Sequence, residues 1–285
     1  FAITAWTANA SPAINEWAGI QAPPTAGLSA PFLNSGVMFR TAASPLRPSS
    51  ISVQGTLQDG TAFNVSADAN GKFNGTRVKG TVDYEYGIVQ LFFVNPAGDP
   101  ALNIDLTHLG IAGLTVLPAD LCRVSTIRYN AVSYSYLPLD AEILGLDPVR
   151  LPTDGRVPIF NPGDFAVIGH AETIGPQTVS NAQTINCGRV RLSRVRVIGT
   201  DGNVIDTGYS ANLEAGTVTF SDVSGYAQPV TIEHRIEDMA QIADVQINGA
   251  MAFTRQISHD YPAGSIVSSA LVAGDLRAYV PVLFD

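Results

Sequence analysis

Short runs of alternating apolar and polar residues, punctuated by Asx-Gly dipeptides, constrain this chain more than any other feature. In "PVTIEHRIE", Val230, Ile232, His234 and Ile236 fall on one face and Thr231, Glu233, Arg235 and Glu237 on the other. A period of two marks a half-buried strand. "SISVQGTL", "GTVTF", "ADVQI", "AMAFTRQI" and "LRAYVPVLF" behave alike. Between such runs stand Asp59-Gly60, Asn70-Gly71, Asp154-Gly155, Asp201-Gly202 and Asn248-Gly249. Asn-Gly and Asp-Gly tolerate the positive φ of type I′ hairpin turns, so antiparallel hairpins are expected. Helical periodicity is weak, with short helices expected only near 11–19 and 138–146.

One phrase occurs twice. Residues 80–93 read GTVDYEYGIVQLFF and residues 210–220 read SANLEAGTVTF. With Gly87 aligned to Gly216, Asp83 meets Asn212, Tyr84 meets Leu213, Glu85 meets Glu214, Val89 meets Val218 and Leu91 meets Phe220. Each phrase follows an Asp-Gly turn, and the first copy has 13 more residues in between, which carry Asn70-Gly71. An added hairpin is the simplest account. The phrase reads as strand, tight turn with glycine at positive φ, strand. Two modules built on a related hairpin follow; chance likeness of two short phrases is the alternative.

A length of 285 residues suggests two or three domains. The expected fold is all-β, with two β-sandwich or barrel-like modules flanking a Pro-rich, small barrel-like middle region. The boundaries are 1–48 for an extended arm, 49–120 for a β module, 121–190 for the middle region and 191–285 for a C-terminal β-sandwich. Pro138, Pro148, Pro152, Pro158 and Pro162 suit edges and turns rather than a sheet interior. The arm, rich in Ala, Pro, Ser and Gly, is nearly uncharged and is expected to lie against a neighbouring subunit or its own core.

Apolar residues make up 46% and charged residues 14%, well below the usual quarter. A surface so poor in charge is covered by neutral polar groups or by partners. The net charge of −9 argues against nucleic acid. The one basic cluster, Arg189, Arg191, Arg194 and Arg196, has strand spacing. No stretch approaches the ~18 apolar residues of a membrane span. Phe1 rather than Met opens the chain, so an initial segment beyond it is expected; no signal-peptide pattern is visible.

Candidate chemistry is sparse. His108, His170, His234 and His259 show no metal spacing with one another or with cysteine. His234 is expected as a core histidine. His259 beside Asp260 offers a base and its orienter, without a nucleophile motif. Glu233 and Glu237 would stand about 13 Å apart along a strand at ~3.3 Å per residue, too far for glycoside hydrolysis; a solvated face with Arg235 between them is expected. "DANGKFNGT" (68–76) reads as a turn rather than a calcium loop. Cys122 and Cys187 are expected as buried thiols, with one long-range disulfide as the alternative. No catalytic residue, cofactor or metal is assigned. Tyr129, Tyr134 and Tyr136 in "IRYNAVSYSYLP" are candidate ligand or interface contacts, through stacking on sugars or packing on a neighbouring sheet.

"GTVDYEYGIVQLFF", "LPLDAEILGLDPVRLPTDGRVPIFNPGD" and "GYAQPVTIEHRIEDMAQIADVQINGAMAFTRQISHDYPAGSIVSSALVAGDLRAYV" resemble tail-associated structural proteins of tailed bacteriophages, most of all those with long non-contractile tails and Mu-like genomes. The resemblance implies a non-enzymatic virion part of the tail tip or baseplate, assembled in the bacterial host cytoplasm as a ring or trimer with other tail proteins. The alternatives are a receptor- or glycan-binding tail protein and, third, a polysaccharide hydrolase.

Overall fold

The computed structural model describes residues 33–138, 156–157, 159–246 and 248–280. Most of the arm, the helix expected near 11–19, all but Pro138 of the one expected near 138–146, and Asp154-Gly155 lie outside the described residues. The chain forms two compact units. The first comprises the described residues 33–131 with 273–280, the second those of 132–272. The region expected as a separate middle module is shared between them, 121–131 belonging to the first and the rest to the second.

The first unit holds β1 (Leu33–Asn34), β2 (Gly36–Arg40), β3 (Ser52–Thr56), β4 (Ala62–Ser66), β5 (Lys72–Asn74), β6 (Val78–Asp83), β7 (Ile88–Phe93), β8 (Asn103–Asp105), β9 (Val116–Pro118), β10 (Cys122–Arg123) and the start of β11 (Arg128–Ser135). One sheet has the order β2-β7-β6-β5. The facing layer pairs β4 with β3 and β3 with β11. Between them Phe39, Val53, Leu57, Phe73, Leu91 and Phe93 are sealed from solvent. Each strand contributes alternate residues to this core, which is why the alternation was legible.

The second unit holds β12 (Leu137–Pro138), β13 (Arg156–Val157), β14 (Phe165–Gln177), β15 (Thr184–Asn186), β16 (Arg194–Ile198), β17 (Val204–Ile205), β18 (Tyr209–Asn212), β19 (Thr217–Phe220), β20 (Val230–Val245), β21 (Met251–Phe253) and most of β22 (Ile266–Arg277). One sheet has the order β15-β19-β18 and faces a layer in which β17, β16, β20 and β14 are neighbours. Val195, Val197, Val218, Phe220, Val230 and Ile232 fill the space between. The all-β, two-sandwich expectation matches this architecture, and no α-helix occurs among the described residues.

The repeated phrase is a structural repeat. Gly87 and Gly216 both take φ 68°. Thr41 N–H donates to Gly87 O at 2.8 Å, and Cys187 N–H to Gly216 O at 2.8 Å. Five residues on, Leu46 N–H donates to Tyr84 O and Leu192 N–H to Leu213 O. The β3–β4 and β16–β17 hairpins, made by the two Asp-Gly turns, also correspond. Behind them Val53 pairs with Tyr129 as Val195 pairs with His234. The 13 additional residues make the β4–β5 hairpin, as expected, and β5 joins the sheet beside β6.

The turns themselves differ from expectation. Gly60, Gly71, Gly202 and Gly249 have positive φ, but the Asx residues before them do not. In all four, the glycine N–H bonds the carbonyl three residues back, as Gly60 does to Leu57 and Gly202 to Gly199. This is a type I turn followed by a left-handed glycine, not type I′. At Asp59, Asp201 and Asn248 the side chain accepts the N–H two residues on, which stabilises the ordinary conformation of the Asx residue.

Candidate functional site: a polar band on the second unit

Three of the chain's four histidines lie on one face of the second unit. Strand pairing places Glu172 opposite His234, His170 opposite Ile236 and Ile168 opposite Asp238. Residues directly opposite in an antiparallel pair share a face, so His170, Glu172, His234 and Asp238 project together. The 187–193 and 255–265 loops bring Arg189, Arg191, Ser258, His259 and Tyr261 to the same face.

Asp238 is the hub. Its carboxylate accepts from Ser258 N–H at 2.8 Å, Ser258 Oγ at 2.6 Å, His259 N–H at 3.0 Å and Tyr261 Oη at 3.0 Å, and lies 3.0 Å from His259 Nδ1. Burial pulls its affinity for protons up, but the donors from Ser258, His259 and Tyr261 outweigh it and hold the pKa at about 2. Burial, and then the adjacent Asp238 carboxylate, push the Tyr261 hydroxyl well above its usual value. His259 Nε2 faces Arg191 O at 3.1 Å, and the Arg191 guanidinium bonds Ser258 O. Arg191 itself sits at φ 52°.

Asp238 therefore orients His259, and Asp260, the sequence neighbour, does not have that role. The wiring differs from a nucleophilic relay. A relay needs one imidazole nitrogen toward the carboxylate and the other toward the nucleophile. Here Ser258 Oγ, 3.1 Å from Nδ1, shares that side with the carboxylate, and Nε2 ends on a backbone carbonyl. The arrangement staples two loops to β20.

Beside it, His170 Nε2 lies 3.3 Å from Glu172 and its Nδ1 3.2 Å from Ser265 Oγ; Arg189 also pairs with Glu172. His234 is fully buried, as the alternation requires. Burial, and then the Arg189 cation, push its pKa down. No group of three or more His, Cys, Asp or Glu among the described residues is placed to hold a metal.

The opposite face of β20 corrects another expectation. The Glu237 side chain is 2% exposed rather than solvated. Arg235 bonds it through Nε at 3.0 Å and Nη2 at 2.9 Å. The guanidinium crosses Gly169, where any Cβ would fall 2.3 Å from Nη2. Tyr134 Oη also donates to Glu237, at 3.2 Å. The Tyr134 ring packs on Val132, Val167 and Ala270. Tyr129 is 3% exposed; its ring meets Phe39 and its hydroxyl accepts from Ala42 N–H at 2.7 Å. Burial in the first unit removes Tyr129 as a surface contact. Tyr136 is half-buried. The three tyrosines do not form one open platform.

The arginine cluster is absorbed by the fold: Arg194 lies 3.0 Å and Arg196 3.8 Å from Glu233. Cys122 and Cys187 are both buried free thiols, one in each unit. Burial, with Asp120 adding to it, pushes the Cys122 thiol up to about 12. The network around Asp238 was invisible in the sequence because its members come from three separate segments. The one available signal was Ser258-His259 with Tyr261 in a loop. No protein-family model and no curated protein matches the chain.

Proposed function

We propose that this chain is a structural subunit of a bacteriophage tail, in the tail tip or baseplate, and joins the virion through protein–protein contacts. The observation that carries the reading is a set of exposed large apolar side chains on an outer sheet face of the first unit, set among Arg40, Gln90 and Thr81. On the sheet face turned away from the core, Met38 is 50% and Ile88 40% exposed, and Tyr86 in the adjoining turn is 60% exposed. Large apolar groups gathered on a strand face mark a surface that is covered in an assembly. The low charge content supports the same reading, which is also what the resemblance of the quoted phrases to tail proteins implies.

The test is light scattering on the purified chain, combined with immunogold labelling of phage particles. Assembly above the monomer and label at the distal end of the tail are expected. A strict monomer at high concentration, with no label on particles, would overturn the reading.

A further inference from the structure

The internal repeat supplies a control for the exposed face. Register pairs Met38 with Gln90 and Arg40 with Ile88 in the first unit. The same positions in the second unit are Thr184 with Thr219 and Asn186 with Thr217. There the face is neutral and polar, three threonines and Asn186, with Thr184 and Thr219 hydroxyls 2.9 Å apart. Threonine is an ordinary residue for a solvated sheet face. Met38 and Ile88 stand where Thr184 and Thr217 stand, so the apolar surface is a property of one copy and not a demand of the fold.

The strand that carries Met38 is also an edge. β2 ends its sheet. Thr41 N–H bonds Gly87 O and Phe93 N–H bonds Ser35 O. Odd-numbered residues of β2 therefore face β7, and the peptide groups of Gly36, Met38 and Arg40 face outward, the Gly36 N–H bonding Asn34 Oδ1 at 3.2 Å. No strand among the described residues pairs with that side. An open edge bordered by apolar side chains is a template for another strand.

We propose that β2 receives an antiparallel strand from a neighbouring polypeptide of defined chemistry: an acidic residue, an apolar residue and a bulky apolar residue at every second position. The order follows from the register. A strand bonded to Met38 places one side chain beside Met38. The residue two before it lies opposite Arg40, whose cation selects a carboxylate. The residue two after it lies opposite Gly36. Gly36 has no side chain, and the Phe92 ring lies 3.3 Å from where its Cβ would be. The ring fills the space over Gly36, so a bulky apolar group opposite it packs against an aromatic edge rather than against a side chain of β2. The inference deepens the assembly reading by naming the surface and the kind of segment that occupies it.

The test is fluorescence anisotropy with a labelled heptapeptide in which threonine alternates with glutamate, isoleucine and phenylalanine, in that order. Saturable binding to the full chain is expected, with at least tenfold loss when glutamate is replaced by lysine. Met38→Thr with Ile88→Thr gives the first unit the side chains of the second and leaves the ladder intact; it should weaken binding at least tenfold. Arg40→Glu should reverse the preference between the two peptides. Absence of binding, or binding indifferent to the peptide's charge and to both variants, would overturn the proposal. Dimerisation of the free chain, abolished by Met38→Thr with Ile88→Thr, would assign the edge to a second copy and overturn the stated partner. Peptide binding reads the edge and immunogold labelling reads the virion, so the two proposals fail separately.

Discussion

The two units are the same sandwich made with different parts. In the first, β5 lies beside β6 and places Phe73, fully buried, opposite Gly80. A Cβ on Gly80 would sit 2.1 Å from Gln90 O. Among the described residues of the second unit there is no counterpart of β5, and Tyr209 occupies the position of Gly80, its ring 6.3 Å from that of Phe220. The core between the sheets is filled in both cases, once by an added strand and once by a larger side chain. The difference shows which constraints belong to the fold: the strand order, the left-handed glycine and the crossing segment bonded to it persist, whereas the source of the bulk does not.

The sharpest way to break the comparison is at the shared glycine. A Cβ on Gly216 would lie 1.6 Å from Arg189 O, a backbone atom. One on Gly87 would lie 2.2 Å from Thr41 Oγ1, a side-chain atom. Both positions also carry the left-handed penalty of about 1–2 kcal/mol. Gly216→Ala should destabilise by more than about 4 kcal/mol, and Gly87→Ala by about 2 kcal/mol. Urea unfolding measures both, and equal losses would contradict the geometry.

Next come the matched core residues. Phe220→Ala should cost about 4 kcal/mol and Leu91→Ala about 3 kcal/mol, through loss of burial and the cavity left behind. A loss below about 1 kcal/mol at either position would mean that it is not the sealed core residue that the repeat requires.

The Asp238 hub belongs to the second unit alone, and its buried position makes its acid response larger than that of the exposed Asp59 of the first unit, which Arg77 also holds at about 2. The Asp238 pKa is held at about 2 against an ordinary 3.8. A carboxylate with a depressed native pKa contributes stability that is complete above the unfolded value and lost as pH falls through the native one. Stability should therefore fall between about pH 4 and pH 2, and Asp238→Asn should flatten that fall. Urea midpoints across this range read the effect, and an unchanged slope would show that the hydrogen bonds to Asp238 do not form.

The smallest effect expected is on the outer faces. Exchanging Met38 and Ile88 for threonine, or Thr184→Met with Thr217→Ile, should alter stability by no more than about 0.5 kcal/mol, as for other exposed positions. A larger loss at Met38 would make it a stability residue and remove the reason to assign it to a partner.

Strands were legible where one face is buried, because the alternation of Val230, Ile232, His234 and Ile236 is dictated by the pleat. The repeat was legible because the turn admits only glycine at its last position. Three things were not. The turn type was missed because an Asx-Gly pair fits two hairpin geometries, and the carboxylate or amide that accepts the N–H two residues on favours the one found. Glu237 looks solvated in sequence because period two gives two faces without saying that both are covered. The Asp238 network was missed because Arg191, Asp238 and His259 are far apart in the chain, and only the pairing of β14 with β20 and the path of two loops bring them together. Tyr134 shows the same limit: its alternation with Tyr136 was readable, but its hydrogen bond to Glu237, over a hundred residues away, was not.

The most direct test is amide hydrogen exchange of the intact chain, with and without the alternating acidic–apolar peptide. Met38 and Arg40 hold the open edge of the first unit, and Thr184 and Asn186 hold the matching positions of the second, so one sample contains both probe and control. Slowed exchange at Met38 and Arg40, with Thr184 and Asn186 unchanged, is the predicted result. Equal slowing at both edges, or none at either, would contradict the claim that one copy of a duplicated sandwich has been adapted to take a partner strand.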